Sequence, residues 1–179
     1  MGSMLHSPGC LQQVNASPAP EPEILLDTLT ESPNRFFSLT CPCGETRFLV
    51  SGEMHRNILI DRDLVYGPVT AKCTTCQRAS LLFDPRLHGY DVEIDHFPPT
   101  WQATSQPREF ECPSCTGAVF ALTARFEYPA ALLQALELGL DHGYARHVGR
   151  EHDLFTWFTL VGRCSTCHTL ETIASVECA

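Results

Sequence analysis

At 179 residues with a formal charge of −9, the chain has room for one or two domains and is too acidic to hold a phosphate backbone by charge. Its twelve Lys and Arg residues, Lys72 being the single lysine, are dispersed, and no aromatic interleaving marks a surface for stacking single-stranded bases. No stretch approaches about 18 apolar residues, which excludes a helical membrane span. The N-terminus shows no basic segment followed by an apolar run, so no signal peptide is expected and the protein reads as cytoplasmic.

Residues 1–34 are rich in Pro, Ser and Glu, with Ile24-Leu25-Leu26 the one apolar cluster, and are expected to form a largely disordered tail with one docking segment. A first unit then spans 35–96. It opens on Cys41-Pro42-Cys43-Gly44 and runs into the β-leaning Phe48-Leu49-Val50, Ile58-Leu59-Ile60 and 65–69. It continues through Cys73-Thr74-Thr75-Cys76 to Leu81-Leu82-Phe83 and to 92–94. Residues 97–107 hold Pro98, Pro99 and Pro107, which interrupt regular structure, and read as a linker with Trp101 packing on one of its neighbours.

The second unit, 108–179, repeats this order. Cys112-Pro113-Ser114-Cys115 precedes Phe120 at the offset by which Cys43 precedes Phe48, and Cys164-Ser165-Thr166-Cys167 answers the pair Cys73 and Cys76 before an apolar run at 170–173. Between its cysteine pairs lies a longer spacer. Pro129 at a first turn, Gly139 at an end and Leu132, Leu133, Leu136 and Leu140 on one face predict a helix over 129–139 that covers the open side of a sheet. A polar loop with His142, His147 and His152 follows, and then a strand at 154–161 whose large groups on both faces predict burial on two sides. The expected architecture is mostly β with one substantial helix, arranged as a tandem pair of zinc-ribbon-like units.

Eight of the ten cysteines form these four tight pairs. Two cysteines separated by one or two residues can turn both sulfurs toward one ion, so two pairs supply four thiolates and four pairs imply two metal sites. The expectation is two structural zinc ions, one held by Cys41, Cys43, Cys73 and Cys76 and the other by Cys112, Cys115, Cys164 and Cys167. Ligation within each half is favoured over a crossed arrangement. Cys10 and Cys178 fall outside the pattern and read as spare thiols in mobile terminal segments.

From about 39 to 90 the chain resembles the bacterial zinc-ribbon domains called CpXC, through Cys41-Pro42-Cys43-Gly44 and Leu82-Phe83-Asp84-Pro85. The resemblance implies fold and metal rather than activity. The sequence departs from the family pattern in its short first knuckle and in Gln77, which stands where the family has glycine. Glycine adopts a left-handed backbone easily, so Gln77 predicts a less ideal turn.

A four-thiolate site leaves no open coordination position, so the metal itself is not expected to catalyse. His88-Gly89-Tyr90-Asp91 and Asp141-His142-Gly143-Tyr144 share a triplet but occupy non-equivalent places in the repeat, and the five-residue spacing of His142, His147 and His152 shares no helical face. Loading both sites ionises eight thiols against two dications and takes the charge to about −13. The composite expectation is a non-enzymatic cytoplasmic zinc-binding protein acting as an acidic protein-interaction module for a basic partner, for example as an inhibitor or immunity protein of a basic toxin. Its contact region is placed in 128–152. Two alternatives stand beside it: an enzyme in which His88, Asp91, His96 and His142 converge in one cleft, and a nucleic-acid-binding zinc ribbon.

Overall fold

The computed structural model describes residues 7–22, 34–57, 61–90, 92, 106–130 and 151–178. Each expected ribbon forms three antiparallel strands. In the first, β3 (Arg47–Gly52) pairs with β6 (Val69–Cys73), and β6 with β7 (Ala79–Phe83); in the second, β9 (Val119–Glu127) pairs with β10 (Trp157–Cys164), and β10 with β11 (Leu170–Glu177). Alternation along β3 sends Phe48 and Val50 inward and Arg47, Leu49 and Ser51 outward, the period of two that a strand requires. On β10, Phe158 to Gly162 are all buried, as the large groups on both of its faces predict.

Backbone register shows how closely the copies agree. Phe48 faces Cys73 as Phe120 faces Cys164. Each outer hairpin carries a bulge at the equivalent step, between Val69 and Thr70 in one and between Leu160 and Val161 in the other. The copies also pair with each other, because β3 lies antiparallel to β9 with Phe48 opposite Phe120, Arg47 opposite Ala121 and Leu49 opposite Val119. Phe48 faces its own repeat counterpart, while Arg47 and Leu49 each face the counterpart of the other, so a pseudo-two-fold axis passes through the Phe48 and Phe120 pair. This is the self-complementary geometry of a two-fold dimer interface, here inside one chain.

The remaining strands brace this symmetric centre. β2 (Asn34–Thr40) continues along the edge of β9 beyond β3 and carries β1 (Asn15–Pro18), and β8 (Arg108–Glu109) caps β3. The spacer of the first ribbon forms a hairpin, β4 (Met54–Asn57) and β5 (Arg62–Val65), whose Val65 pairs with Ala174 of β11 in the second ribbon. The resulting order is β4-β5-β11-β10-β9-β3-β6-β7. In a flat sheet β7 and β10 would lie about 19 Å apart, yet Phe83 of β7 stacks on Phe158 of β10 at 4.5 Å between ring centroids. The sheet is therefore rolled. Phe126 and Phe155 complete the aromatic cluster, each fully buried and contributing on the order of 2 kcal/mol.

The substantial helix expected from the sequence is not borne out. Among the described residues there is no α-helix of seven residues or more, and the helical elements they hold in full are the 3-10 turns Gly9–Leu11 and Glu151–Asp153. Residues 131–139 of the segment assigned to the helix lie outside the described residues. The covering role assigned to it is met by strands, since the curled sheet buries its own inner face. The two ribbons share one sheet and one core rather than each closing a core of its own.

Two further expectations are corrected. Within the stretch read as a tail, Gly9–Leu11 and Asn15–Pro18 are ordered, and Leu11 is 1% exposed. Gln13 secures this segment to β7, its carbonyl accepting from the Ser80 hydroxyl at 3.2 Å and its side-chain oxygen from the Leu81 amide at 3.0 Å. Cys10 and Cys178, read as spare mobile thiols, are both buried. Most of the linker, including Trp101, and the β-leaning 58–60 and 93–94 lie outside the described residues.

Candidate metal centres

Strand pairing delivers the sulfurs. Each ribbon's first knuckle precedes its first strand and its second knuckle joins the other two strands, so the Phe48–Cys73 and Phe120–Cys164 registers bring the paired loops to one end of each ribbon. In both copies the first cysteine meets the fourth and the second meets the third: Cys41 Sγ to Cys76 Sγ at 3.5 Å and Cys43 to Cys73 at 3.6 Å, then Cys112 to Cys167 at 3.6 Å and Cys115 to Cys164 at 3.5 Å. All four sulfurs of each set lie within 4.8 Å of one another. A tetrahedron with metal–sulfur bonds of about 2.3 Å has edges of about 3.8 Å, so each set can close around one ion with small adjustments. These are the groupings expected from the sequence, within each half and not crossed. Among the described residues no further cluster of three or more His, Cys, Asp or Glu comes this close.

The turns are built alike. In all four knuckles the residue after the second cysteine is left-handed: Gly44 at φ 91°, Gln77 at 61°, Thr116 at 59° and His168 at 63°. Gln77 thus adopts the conformation that glycine would have made easy, and its side-chain amide returns a hydrogen bond to the Thr74 carbonyl at 2.9 Å. The loop is closed by the Cys73 amide on the Arg78 carbonyl at 2.9 Å, matched by the Cys164 amide on the Thr169 carbonyl at 2.9 Å.

Thiol acidity follows from these amides. Burial raises the Cys73 thiol, but the N–H groups of Cys76 and Thr75 outweigh it and bring it down to about 7. Cys164 is lowered in the same way, against burial, by the amides of Cys167 and Thr166. The Thr169 hydroxyl, 2.9 Å from Cys167 Sγ, followed by the Thr169 amide, holds Cys167 at about 6. Their partners move the other way. Cys41 is pulled down by the Cys43 amide, but burial and the neighbouring sulfurs prevail and carry it to about 12. Cys115 reaches about 12 likewise, against the Gly117 amide, through Cys167, burial and the other two sulfurs. Without metal, each site therefore holds readily ionised thiols beside retained ones, and a dication that ionises all four would relieve their mutual repulsion.

Beyond the ligands the two sites differ. At the first, Cys43 and Cys76 are exposed, and the Glu45 carboxylate is gripped by Arg47 at 3.0 Å and by the Thr75 hydroxyl at 2.7 Å. At the second, Cys115 and Cys167 are partly covered. Gly117, in the place of Glu45, lies against Thr166, and Ser114 donates to the buried Glu171, which also holds Arg62 at 2.9 Å.

The histidines form no second centre among the described residues. His88 accepts the Asp84 amide on Nδ1 at 2.9 Å, whereas Asp91, His96, His142 and His147 lie outside the described residues. The His152 carbonyl accepts from the Tyr128 hydroxyl at 2.9 Å, pinning the two ends of the second spacer together. Sequence reasoning missed a cavity of about 270 Å³ where Cys10, His88 and Asp153 meet. Three distant segments build it, and no local pattern connects them. Comparison with known protein families, with curated proteins and with solved structures finds no match.

Proposed function

We propose that the protein is a non-enzymatic, cytoplasmic zinc-binding module. Two structural zinc ions fix its rolled sheet, and its acidic surface engages a basic protein, as an inhibitor or immunity protein would engage a basic toxin. The observation that carries the reading is the pair of sulfur tetrads. Each offers four thiol ligands in a closed set, the donor chemistry that suits zinc in a structural role and leaves no position for water or substrate. The resemblance of the first ribbon to CpXC domains agrees with that role.

Charge supports the partner's nature. Among the described cations, Arg47, Arg56, Arg62, Arg86 and Arg125 are paired with carboxylates, which leaves the net charge of −9 to be expressed largely by the remaining acidic groups. Zinc loading deepens it to about −13. A surface of that sign speeds encounter with a basic protein and repels phosphate backbones. The second spacer, clipped at its base by Tyr128 and by the Thr156 amide on the Glu127 carbonyl at 2.8 Å, can vary without disturbing either tetrad.

The test is affinity purification of the zinc-loaded chain from its native host with mass spectrometry, beside a variant lacking residues 141–150. The intact chain is expected to capture a basic protein, in a salt-sensitive manner, and the variant to lose it while retaining two zinc ions. Tight binding of duplex DNA by the intact chain, with a steep salt dependence, would replace this reading by the nucleic-acid one.

A further inference from the structure

The cavity at the base of the second spacer has a chemistry of its own. The N-terminal turn (Gly9, Cys10), the loop after β7 (Leu87, His88) and the segment entering β10 (Asp153, Phe155) enclose it. Leu87, 57% exposed, is the exposed large hydrophobic residue among those described, and it stands at this cavity. Phe155, at 1% exposure, supplies an apolar wall. Asp153 supplies a carboxylate whose side chain is 15% exposed and whose Oδ1 accepts the Gly9 amide at 2.7 Å. Its Oδ2 lies 3.7 Å from the His152 imidazole Nε2, and a carboxylate carries about four lone-pair positions in all.

We infer that this cavity is the subsite for one arginine side chain of the basic protein partner, its guanidinium on Asp153 and its aliphatic stem between Leu87 and Phe155. The inference rests on the reading of the protein as an acidic interaction module and specifies where that module grips. Three observations converge on it. The volume, about 270 Å³, is small for a metabolite site and suits one long side chain. The lining joins a mostly buried carboxylate to apolar contact, the combination that an amphipathic arginine satisfies at both ends. Its position beside the ends of the second spacer makes it continuous with the expected contact region, and a desolvated pocket filled by an arginine anchor is where binding energy concentrates. Cys10 adds no competing anion, since burial, and after it Asp153, raises its thiol well above the ordinary range.

The test uses the full zinc-loaded chain and two small probes, ethylguanidinium and its uncharged isostere ethylurea, followed by NMR at the Gly9 and Gly89 amides. Ethylguanidinium is expected to shift both amides saturably in the millimolar range, and ethylurea to bind roughly tenfold more weakly or not at all. Asp153→Asn keeps an acceptor for the Gly9 amide and should lose the preference for the cation. The exposed Leu87→Ala should weaken the probe a few-fold without altering the fold. Equal binding of the two probes, undiminished binding by Asp153→Asn, or shifts confined elsewhere would overturn the subsite. If the probe binds but Asp153→Asn captures the native partner as tightly as the parent chain, the assignment to the partner falls while the acidic module stands. Normal probe binding by an intact chain that captures no protein would instead overturn the module reading.

Discussion

The two sulfur tetrads have the same strand register and the same pairing of first with fourth and second with third cysteine, although the first knuckle is one residue shorter in the first tetrad, and their surroundings differ. The first is wrapped by exposed turns and a surface ion pair. The second is half covered, has the Thr169 hydroxyl within hydrogen-bond distance of both Cys167 and Cys112, and is tied through Ser114 and Glu171 to Arg62 of the first ribbon's hairpin. Ligation geometry is therefore a property of the repeated knuckle, whereas hold on the metal is set by groups that the repeat does not share. Outer partners of this kind change metal affinity by about 10- to 100-fold.

The largest expected effect tests whether the sites are energetically one. Because the ribbons share β3–β9 pairing and a common core, Cys73→Ser and Cys164→Ser should each destabilise the entire chain, by about 5 kcal/mol or more, lowering Tm by roughly 10–20 °C in one transition. Calorimetry showing two transitions, with the intact half melting as before, would separate them. Phe83→Ala comes next, at about 3–5 kcal/mol, because it removes the ring stacked on Phe158. Although Phe83 belongs to the first ribbon, it should speed metal loss from the second site as well, which a chelator assay on the variant would show.

How much of this was legible beforehand follows from the range of each signal. The cysteine pairs and the equal offsets of Phe48 and Phe120 are local, and they led to both tetrads residue by residue. That Phe48 and Phe120 lie opposite each other is a pairing over 72 positions, and an offset cannot reveal it. The leucine spacing at 129–139 suggested a cover for an open sheet, but the rolled sheet supplies its own. Cys10 and Leu11 sit in a polar stretch whose composition argued for disorder. They are ordered because Gln13 can satisfy the open edge of β7, a need that exists only once β7 is in place.

A sharper contrast comes from metal release. With Cys43 and Cys76 exposed, the first site should yield its ion to a chelator about tenfold faster than the second, giving two phases of equal amplitude. Thr169→Val should bring the phases together; unchanged phases would remove the hydroxyl from the account.

Acidity separates the sites further in the metal-free protein. Cys73 at about 7 and Cys167 at about 6 lie below their unfolded value near 9, so their stabilisation is complete above that value and is lost as pH falls through the folded pKa. Cys41 and Cys115, raised to about 12, contribute below about 9 and lose their contribution as pH rises further. Urea midpoints should accordingly rise with pH to a maximum near 9 and fall above it. Cys167→Ser should remove more of the acid limb between 7 and 6 than Cys73→Ser does.

The smallest effect is expected at Glu45. Its carboxyl is held at about 2, first by Arg47 and then by Thr75, so it acts above its ordinary value near 4.5 and fades as pH falls toward 2. With its Arg47 member exposed, the pair is screened by solvent and salt. Glu45→Gln should leave Tm nearly unchanged while modestly quickening release from the first site, and a large fall in Tm would mean that the ion pair supports the fold.

The central claim, two closed four-thiolate sites in one fold, is met most directly by native mass spectrometry of freshly purified protein with X-ray absorption at the zinc edge. The account predicts two zinc ions per chain, each bound by four sulfurs at about 2.3 Å. A chain without zinc whose mass is lowered by paired hydrogens, with no titratable thiols among the eight cysteines, would contradict it and make the knuckles disulfides.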